Sequence, residues 1–168
     1  MRRARGPVLA VTAVIAAFVI VEVLSGSSAD EGSRRPAPAL PPTPLTGKPV
    51  NLAELRGKPA LINFWASWCG PCRKEAPELR RFSRTLDGKA RLVGVDYTDD
   101  AATARAFARQ AGWAYPLLRD PNGTYGDRYG LNGLPATAVL DPKGRIVALL
   151  KGPQSVETLQ AALADARS

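Results

Sequence analysis

One segment carries the strongest structural signal in the chain: the apolar run Ala60-Leu61-Ile62-Asn63-Phe64-Trp65, continued by Ala66-Ser67-Trp68 and then by Cys69-Gly70-Pro71-Cys72. The run is short and is preceded by Gly57-Lys58-Pro59, which is typical of a buried central strand. Pro71 suits the first turn of a helix, where its missing N–H costs little. The segment therefore predicts a strand that leads into a helix, with two cysteines at the junction.

Cys69 and Cys72 are the only cysteines of the chain, and they have the spacing of a redox-active dithiol. A thiolate at a helix N-terminus is stabilised by the helix dipole and by unpaired backbone amides, so Cys69 is the predicted nucleophile. Cys72 lies one turn further on the same side and is the predicted resolving thiol. Two alternatives are weaker: a structural disulfide would close only a very short loop, and a zinc site would lack its second pair of ligands. We therefore predict a thiol–disulfide oxidoreductase that uses this pair, with no other cofactor and no metal.

The composition excludes several kinds of chemistry. The 168 residues carry a formal net charge of +8 and include no histidine. Without an imidazole there is no Ser-His-Asp or Cys-His catalysis and no histidine ligand for zinc, copper or haem iron. The basic residues are scattered and form no nucleic-acid-binding motif, so we expect a solvated basic surface and no nucleic-acid partner.

The first 44 residues have the pattern of a membrane anchor followed by a linker. Met1-Arg2-Arg3-Ala4-Arg5 precedes an apolar run over residues 7–24, which predicts a single-pass anchor in residues 1–24 with a cytoplasmic N-terminus. A cleaved signal peptide competes, because small residues at 27–29 offer a cleavage position, and the protein would then be secreted. Residues 25–44 are rich in Pro, Ser and Ala and predict an extended linker. In either case we expect residues 45–168 to form one folded domain outside the cytoplasm.

Strand and helix signals alternate along that domain, which predicts a mixed sheet covered by helices. The predicted order is a strand at 60–65, a helix at 71–86, a strand at 91–97, a helix capped by 98–100, a strand at 115–118, two antiparallel strands at 137–140 and 146–150, and a last helix opened by 152–155.

Two segments of the chain resemble one known family. The active-site segment of membrane-anchored thioredoxins of the TlpA/ResA or CcmG type is similar to Phe64-Trp65-Ala66-Ser67-Trp68-Cys69-Gly70-Pro71-Cys72-Arg73-Lys74-Glu75-Ala76-Pro77. The family's cis-proline segment is similar to Tyr129-Gly130-Leu131-Asn132-Gly133-Leu134-Pro135-Ala136-Thr137. The resemblance runs from about Thr46 to Ala164 and includes the insertion of the TlpA type before Tyr115. It implies a thioredoxin-like α/β fold with a mixed central sheet flanked by helices.

The resemblance also implies roles for residues around the cysteines. Pro135 is expected to be cis and to face the dithiol, while the backbone of Leu134 pairs with an extended substrate segment. Glu75 is expected to influence the protonation of the dithiol, the alternative being an acid on a solvated helix face. Trp68 is expected to contact substrate, the alternative being a role in packing alone. Asn63 replaces a buried aspartate of cytosolic thioredoxin and cannot take up a proton, which leaves Glu75 or water to assist Cys72.

The direction of electron flow depends on the reduction potential, and the dipeptide between the cysteines favours one direction. Gly-Pro is the dipeptide of thioredoxin, whose potential is about −270 mV against about −120 mV for the oxidant DsbA, so we expect a reductant of disulfides in exported proteins. The resemblance implies a transmembrane thiol reductase of the CcdA/DsbD type as electron donor, and cytochrome c maturation as a client pathway. We expect a monomer.

Other activities on the same or a related fold are alternatives to this expectation. A thiol oxidase or disulfide isomerase would use the same dithiol in the opposite direction. A peroxidase of the peroxiredoxin type is weaker, because the residues before Cys69 lack the Pro-x-x-x-Thr-x-x-Cys pattern of such enzymes. A copper-delivering protein of this fold would need a histidine besides its cysteines, and the chain has none.

Overall fold

The computed structural model describes residues 34–167, which are organised around a seven-stranded mixed sheet. The strands are β1 (Arg35–Pro36), β2 (Pro44–Thr46), β3 (Ala60–Trp65), β4 (Arg91–Tyr97), β5 (Leu117–Asp120), β6 (Ala136–Leu140) and β7 (Arg145–Lys151). The helices of the described residues are α1 (Leu52–Leu55), α2 (Gly70–Ser83), α3 (Ala101–Ala111), α4 (Thr124–Tyr129) and α5 (Val156–Asp165). Across the sheet the strand order is β1-β7-β6-β3-β4-β5-β2. The predicted mixed sheet with helices is confirmed.

β3 lies in the middle of the sheet, and each of its residues is buried. It runs parallel to β4 and antiparallel to β6. A strand covered on both faces takes a near-continuous apolar run, which is why the sequence signal at 60–65 is so clear. Because β3 and β4 are parallel, their carboxyl ends meet at one edge of the sheet, where Trp65 is the register partner of Asp96. The chain leaves β3 at this edge and enters the cysteine segment.

Side chains alternate between the two faces of the sheet and form two apolar clusters. On one face Leu61 and Trp65 pack with residues of α2, α3 and α5, including Leu79 and Phe107. On the other face Ile62 and Phe64 pack with residues that include Leu40, Leu55 and Tyr129. The dithiol belongs to the first of these clusters, so it is backed by a packed core.

The predicted helix starts are confirmed by their caps. Cys69 is the N-cap of α2. The Asp100 carboxylate accepts the N–H groups of Ala102 and Thr103, at 2.9 and 3.0 Å, and so begins α3. Ser155 caps α5 in the same way.

Some predicted boundaries move, and four short elements were not predicted. The helix expected over 71–86 ends at Ser83, and the strand expected over 115–118 runs from Leu117 to Asp120. The strands β1 and β2 and the helices α1 and α4 have between two and six residues each. Elements of this length show too little periodicity to be recognised in a sequence.

The predicted start of the folded domain at Leu45 is too late. The folded unit begins at Arg35, because β1 pairs antiparallel with β7 and Leu40 is buried. The Tyr129 hydroxyl also donates a hydrogen bond to the carbonyl oxygen of Pro38, at 2.7 Å. Proline-rich chain cannot form the interior of a sheet, but it can lie along an edge and contribute carbonyl groups and apolar contacts. The last ten residues of the predicted linker, 35–44, therefore belong to the domain.

The predicted membrane anchor at residues 7–24 and the linker residues 25–33 lie outside the described part of the chain. Within residues 34–167, none of the helices combines the length and apolar character that crossing a membrane requires.

Candidate active site

The two cysteines lie after the end of β3, at the start of α2. Cys69 and Cys72 form a disulfide, and both side chains are almost fully buried, with 4% and 1% of their surface exposed. The backbone N–H of Cys72 points at the Cys69 sulfur, at an N···S distance of 3.1 Å. In the reduced protein that amide and the helix dipole would stabilise a thiolate at Cys69. The predicted position of Cys69 at the helix N-terminus is confirmed.

A groove runs past the disulfide. The peptide bond between Leu134 and Pro135 is cis, as predicted. The segment before it, residues 131–134, lines a cavity of about 530 Å³ together with Cys69, Gly70 and Pro71. Among residues 34–167, no hydrogen bond engages the backbone N–H or carbonyl of Leu134. A free backbone beside the disulfide is what an extended peptide needs in order to pair with the protein.

Trp68 and Tyr97 complete the lining of this groove. Trp68 is 60% exposed, the one large apolar side chain of the described residues that is open to solvent. Trp68 therefore lies open to solvent beside the disulfide, and its contact with substrate stays a prediction. Tyr97 was not predicted. It ends β4, and it lies against Gly126 of α4, where a Cβ atom would approach its ring to 2.6 Å. Only glycine at 126 lets α4 come this close.

Glu75 is buried on α2, three residues after Cys72, and its carboxylate is held at both oxygens. Oε1 accepts the backbone N–H of Gln154 at 3.0 Å, and Oε2 accepts the side-chain amide of Asn63 at 3.1 Å. Burial raises the pKa of Glu75 to about 7, although the two hydrogen bonds favour the ionised form. The alternative of a solvated helix acid is wrong, because only 1% of its surface is exposed.

Asn63 connects this carboxylate to the sheet. Its amide nitrogen also donates to the hydroxyl of Thr137, at 3.0 Å, on the neighbouring strand β6. Its carbonyl oxygen has no hydrogen-bond partner within the described residues. Asn63 therefore fixes Glu75 by donating to it and cannot itself take up a proton.

The loop before Cys69 is held by a residue that sequence reasoning assigned only to helix capping. The Asp99 carboxylate accepts the backbone N–H of Ser67 at 2.6 Å, and its second oxygen accepts the N–H of Asp100 at 2.8 Å. Arg119 on β5 donates to the carbonyl oxygen of Asp99 at 3.3 Å. The contact joins residues 32 positions apart in the chain, so local patterning could not reveal it.

Asp96 is a second buried acid, at the carboxyl end of β4. Its side chain is fully buried, and neither carboxylate oxygen has a hydrogen-bond partner within the described residues. Arg119 is its ion-pair partner, at a distance of 3.8 Å from Nε to Oδ2. Burial, reinforced by the nearby charge of Asp99, raises the pKa of Asp96 to about 7 against the attraction of Arg119. The sequence did not distinguish this aspartate from a solvated one.

A strand, a dithiol at the start of the following helix and a cis-proline beside it together define a thiol–disulfide oxidoreductase of the thioredoxin-like class. The model of the AhpC/TSA family matches residues 33–149, and the chain belongs to that family.

Individual relatives agree with this assignment and with the predicted TlpA/ResA type. The chain is 39% identical over 126 residues to the thiol:disulfide interchange protein HelX of Rhodobacter capsulatus, covering 73% of this chain and 70% of the relative. It is 29% identical over 125 residues to the thiol-disulfide oxidoreductase ResA of Bacillus thuringiensis, covering 74% and 72%. The crystal structure of a DsbF homologue from Corynebacterium diphtheriae superposes with a TM-score of 0.72 at 29% identity, covering 80% of this chain and 88% of that one.

Proposed function

We propose that this protein reduces disulfides in exported proteins on the outer side of the cytoplasmic membrane. The observation that carries the proposal is the Cys69–Cys72 disulfide at the start of α2, bordering a groove in which the backbone of Leu134 is free. An extended substrate segment would pair with Leu134, beside the cis-proline Pro135, and lie against Trp68. Its disulfide would then face Cys69.

The exchange proceeds in two displacements. The Cys69 thiolate attacks one sulfur of the substrate disulfide, so that a mixed disulfide forms and the other substrate sulfur leaves as a thiolate. The Cys72 thiolate then attacks Cys69, breaks the mixed disulfide and releases the second substrate thiolate. Two electrons and two protons pass to the substrate, and the protein is left with the Cys69–Cys72 disulfide.

Glu75 is the proposed proton acceptor for Cys72. The two residues are three positions apart on α2, which places their side chains on neighbouring parts of one helix face. A carboxyl group whose pKa is about 7 exchanges protons readily near neutral pH. Asn63 and the N–H of Gln154 hold the carboxylate in place for this role.

The location and partners of the protein follow from the proposed anchor. Residues 1–24 would hold the domain at the membrane, with the N-terminus in the cytoplasm, and a cleaved signal would instead release it. An oxidising compartment returns the dithiol to the disulfide, so a transmembrane thiol reductase would have to supply electrons. We propose a monomer that acts on exported proteins, with cytochrome c maturation as a client pathway, and with no nucleic-acid partner.

The reduction potential of the Cys69–Cys72 couple tests this proposal. The full chain is equilibrated in graded redox buffers and its free thiols are trapped and counted. A potential below about −240 mV identifies a reductant that needs a membrane electron donor. A potential above about −180 mV would place the protein with oxidases and isomerases and contradict the proposed direction.

A further inference from the structure

Three arginines form a stripe along the helix that begins at the disulfide. Arg73 directly follows Cys72, Arg80 comes seven residues later, and Arg84 comes four residues after that. All three are exposed. Such spacings return to the same face of an α-helix, so the three side chains lie in one row. At a rise of 1.5 Å per residue the row is about 16 Å long, and Arg73 is about 10 Å from Arg80. We call Arg73, Arg80 and Arg84 the arginine stripe.

The arginine stripe borders a second groove, between α2 and α3. Arg73 and Arg80 line a cavity of about 280 Å³ whose apolar lining includes Ala76, Phe107 and Ala111. The Arg73 guanidinium lies over the Phe107 ring, 5.4 Å from its centroid. This groove is separate from the one beside Leu134.

The charge of the stripe is not neutralised by the described residues. None of its three guanidinium groups makes an ion pair or a hydrogen bond within residues 34–167. The acids of α2 are otherwise engaged, because Glu78 pairs with Arg81 and Glu75 is buried. No acid stands in the first turn of α2.

Helix stability accounts for only part of this arrangement. Arginines near the C-terminus, such as Arg80 and Arg84, interact favourably with the helix dipole. Arg73 lies close to the N-terminus, where the dipole disfavours a cation. A cation there stabilises a neighbouring thiolate and attracts an anionic partner to the disulfide.

We propose that the arginine stripe and its groove bind an acidic segment of the protein whose disulfide is exchanged at Cys69. The inference rests on the proposed function and names the chemistry of the substrate. Two carboxylates about 10 Å apart would pair with Arg73 and Arg80, and an apolar side chain between them would enter the cavity. A second copy of this chain is a poor occupant, because the charge of +8 repels it.

A pair of peptides tests the proposal on the full chain, purified in a neutral detergent and reduced beforehand. Both peptides carry one cysteine in a mixed disulfide with an uncharged dye thiol. In one, two glutamates stand three residues apart, which is about 10 Å in an extended chain. In the other, both are glutamine. The measured quantity is the ratio of the two second-order rate constants of reduction, acidic over neutral. We expect a ratio of about 10 at low ionic strength that approaches 1 in about 1 M salt.

Charge reversal locates the effect. The ratio is expected to fall to about 1 or below in Arg80→Glu, and to be retained in Arg105→Glu, an equal change of charge on the face of α3 opposite Phe107. The neutral peptide reports in each variant that the dithiol still reacts. A ratio near 1 in the unaltered protein would overturn the proposal, because the acidic peptide would then gain nothing from its charge. An equal fall in both variants would also overturn it and would indicate general attraction by a basic surface.

Two further outcomes can be distinguished from those of the charge-reversal variants. If neither peptide is reduced, the proposed function fails, whatever the stripe binds. If the peptide ratio is near 1 while dihexanoyl phosphatidylserine binds in a manner that requires Arg80, the stripe recognises a lipid headgroup and the proposal of a protein partner is wrong.

Discussion

Glu75 and Asp96 are buried carboxyl groups on the same face of the sheet, and burial raises the pKa of each to about 7. Their surroundings differ. Both oxygens of Glu75 accept hydrogen bonds, from Asn63 and from the backbone of Gln154. Neither oxygen of Asp96 accepts one from a described residue, and Arg119 remains 3.8 Å away.

The difference shows that a similar pKa can arise in two kinds of site. The ionised form of Glu75 is supported by donors in fixed positions, so the carboxyl can take up and release a proton without disturbing its neighbours. The ionised form of Asp96 is poorly solvated, so its charge costs stability. We therefore expect Glu75 to affect the chemistry of the dithiol and Asp96 to affect the stability of the fold.

Removal of each thiol has the largest expected effect. It gives the loss of exchange activity against which the smaller effect of Glu75 is judged. Cys69→Ser should lower the rate of disulfide exchange by about 10³-fold or more, because the nucleophile is lost. Cys72→Ser should still attack but should accumulate mixed disulfides, since nothing resolves them. Non-reducing gels and mass spectrometry of trapped adducts distinguish the two. Adducts from Cys69→Ser, with none from Cys72→Ser, would reverse the assigned roles.

Asp96→Asn tests the stability half of the comparison. The folded pKa of about 7 lies above the ordinary value of 3.8, so the folded protein holds a proton that the unfolded chain has lost. The contribution of this group to stability is therefore fully present below about pH 4 and is lost as the pH rises to about 7, a change of about 4 kcal/mol. The variant should lose that pH dependence and should be more stable than the unaltered protein at pH 8, by at most the same amount of about 4 kcal/mol. Urea unfolding at pH 4, 6 and 8 measures it.

Asp141→Asn is the matched control for Asp96→Asn. Burial alone would raise the pKa of Asp141, but hydrogen bonds from Arg145 and Lys143 lower it below its ordinary value. Its contribution to stability is therefore present above the ordinary pKa and lost as the pH falls towards the folded pKa. This variant should be less stable at pH 8, the opposite sign. A loss of stability at pH 8 in Asp96→Asn as well would show that the Asp96 charge is better solvated than its surroundings indicate.

Glu75→Gln tests the other half of the comparison. The rate of alkylation of the reduced dithiol should follow the ionisation of Glu75 near pH 7, and the variant should lack that step. A nearby buried charge shifts a thiol pKa by about 1 unit, so the rates should differ by up to about 10-fold. The effect on the pH profile should exceed the effect on stability. Identical alkylation profiles from pH 5 to 9 would remove Glu75 from the mechanism.

Asp99→Ala has the smallest expected effect. It tests whether the segment that follows β4, next to Asp96, influences the rate of exchange through its contact with the loop before Cys69. Loss of the hydrogen bond to Ser67 should destabilise the protein by about 1 kcal/mol and, by loosening the loop before Cys69, lower the rate of peptide reduction about 3-fold. Asp100→Ala removes the cap of α3 at a similar cost of about 1 kcal/mol, but should leave that rate unchanged. Equal rates in the two variants would restrict Asp99 to a structural role.

Much of the active site was predictable because it is local in the chain. The strand at 60–65, the helix start at Cys69 and the spacing of the two cysteines all lie within one short segment. The cis bond at Pro135 was predicted only through a resemblance, since nothing in the residues themselves distinguishes it from an ordinary loop proline. The domain boundary was misplaced because an edge strand as short as Arg35–Pro36 leaves no pattern.

The sequence by itself determined the order of the central strands and helices and the presence of a dithiol at a helix N-terminus, because periodicity, caps and cysteine spacing act between near neighbours in the chain. Only the tertiary structure decided that the carboxylate of Glu75 accepts two hydrogen bonds while that of Asp96 accepts none from the described residues. The donor to Glu75 from Gln154 lies 79 residues away, and the desolvation of both acids comes from helices and strands that meet only in the folded chain. Partners this distant in the chain cannot be recognised from a local sequence pattern.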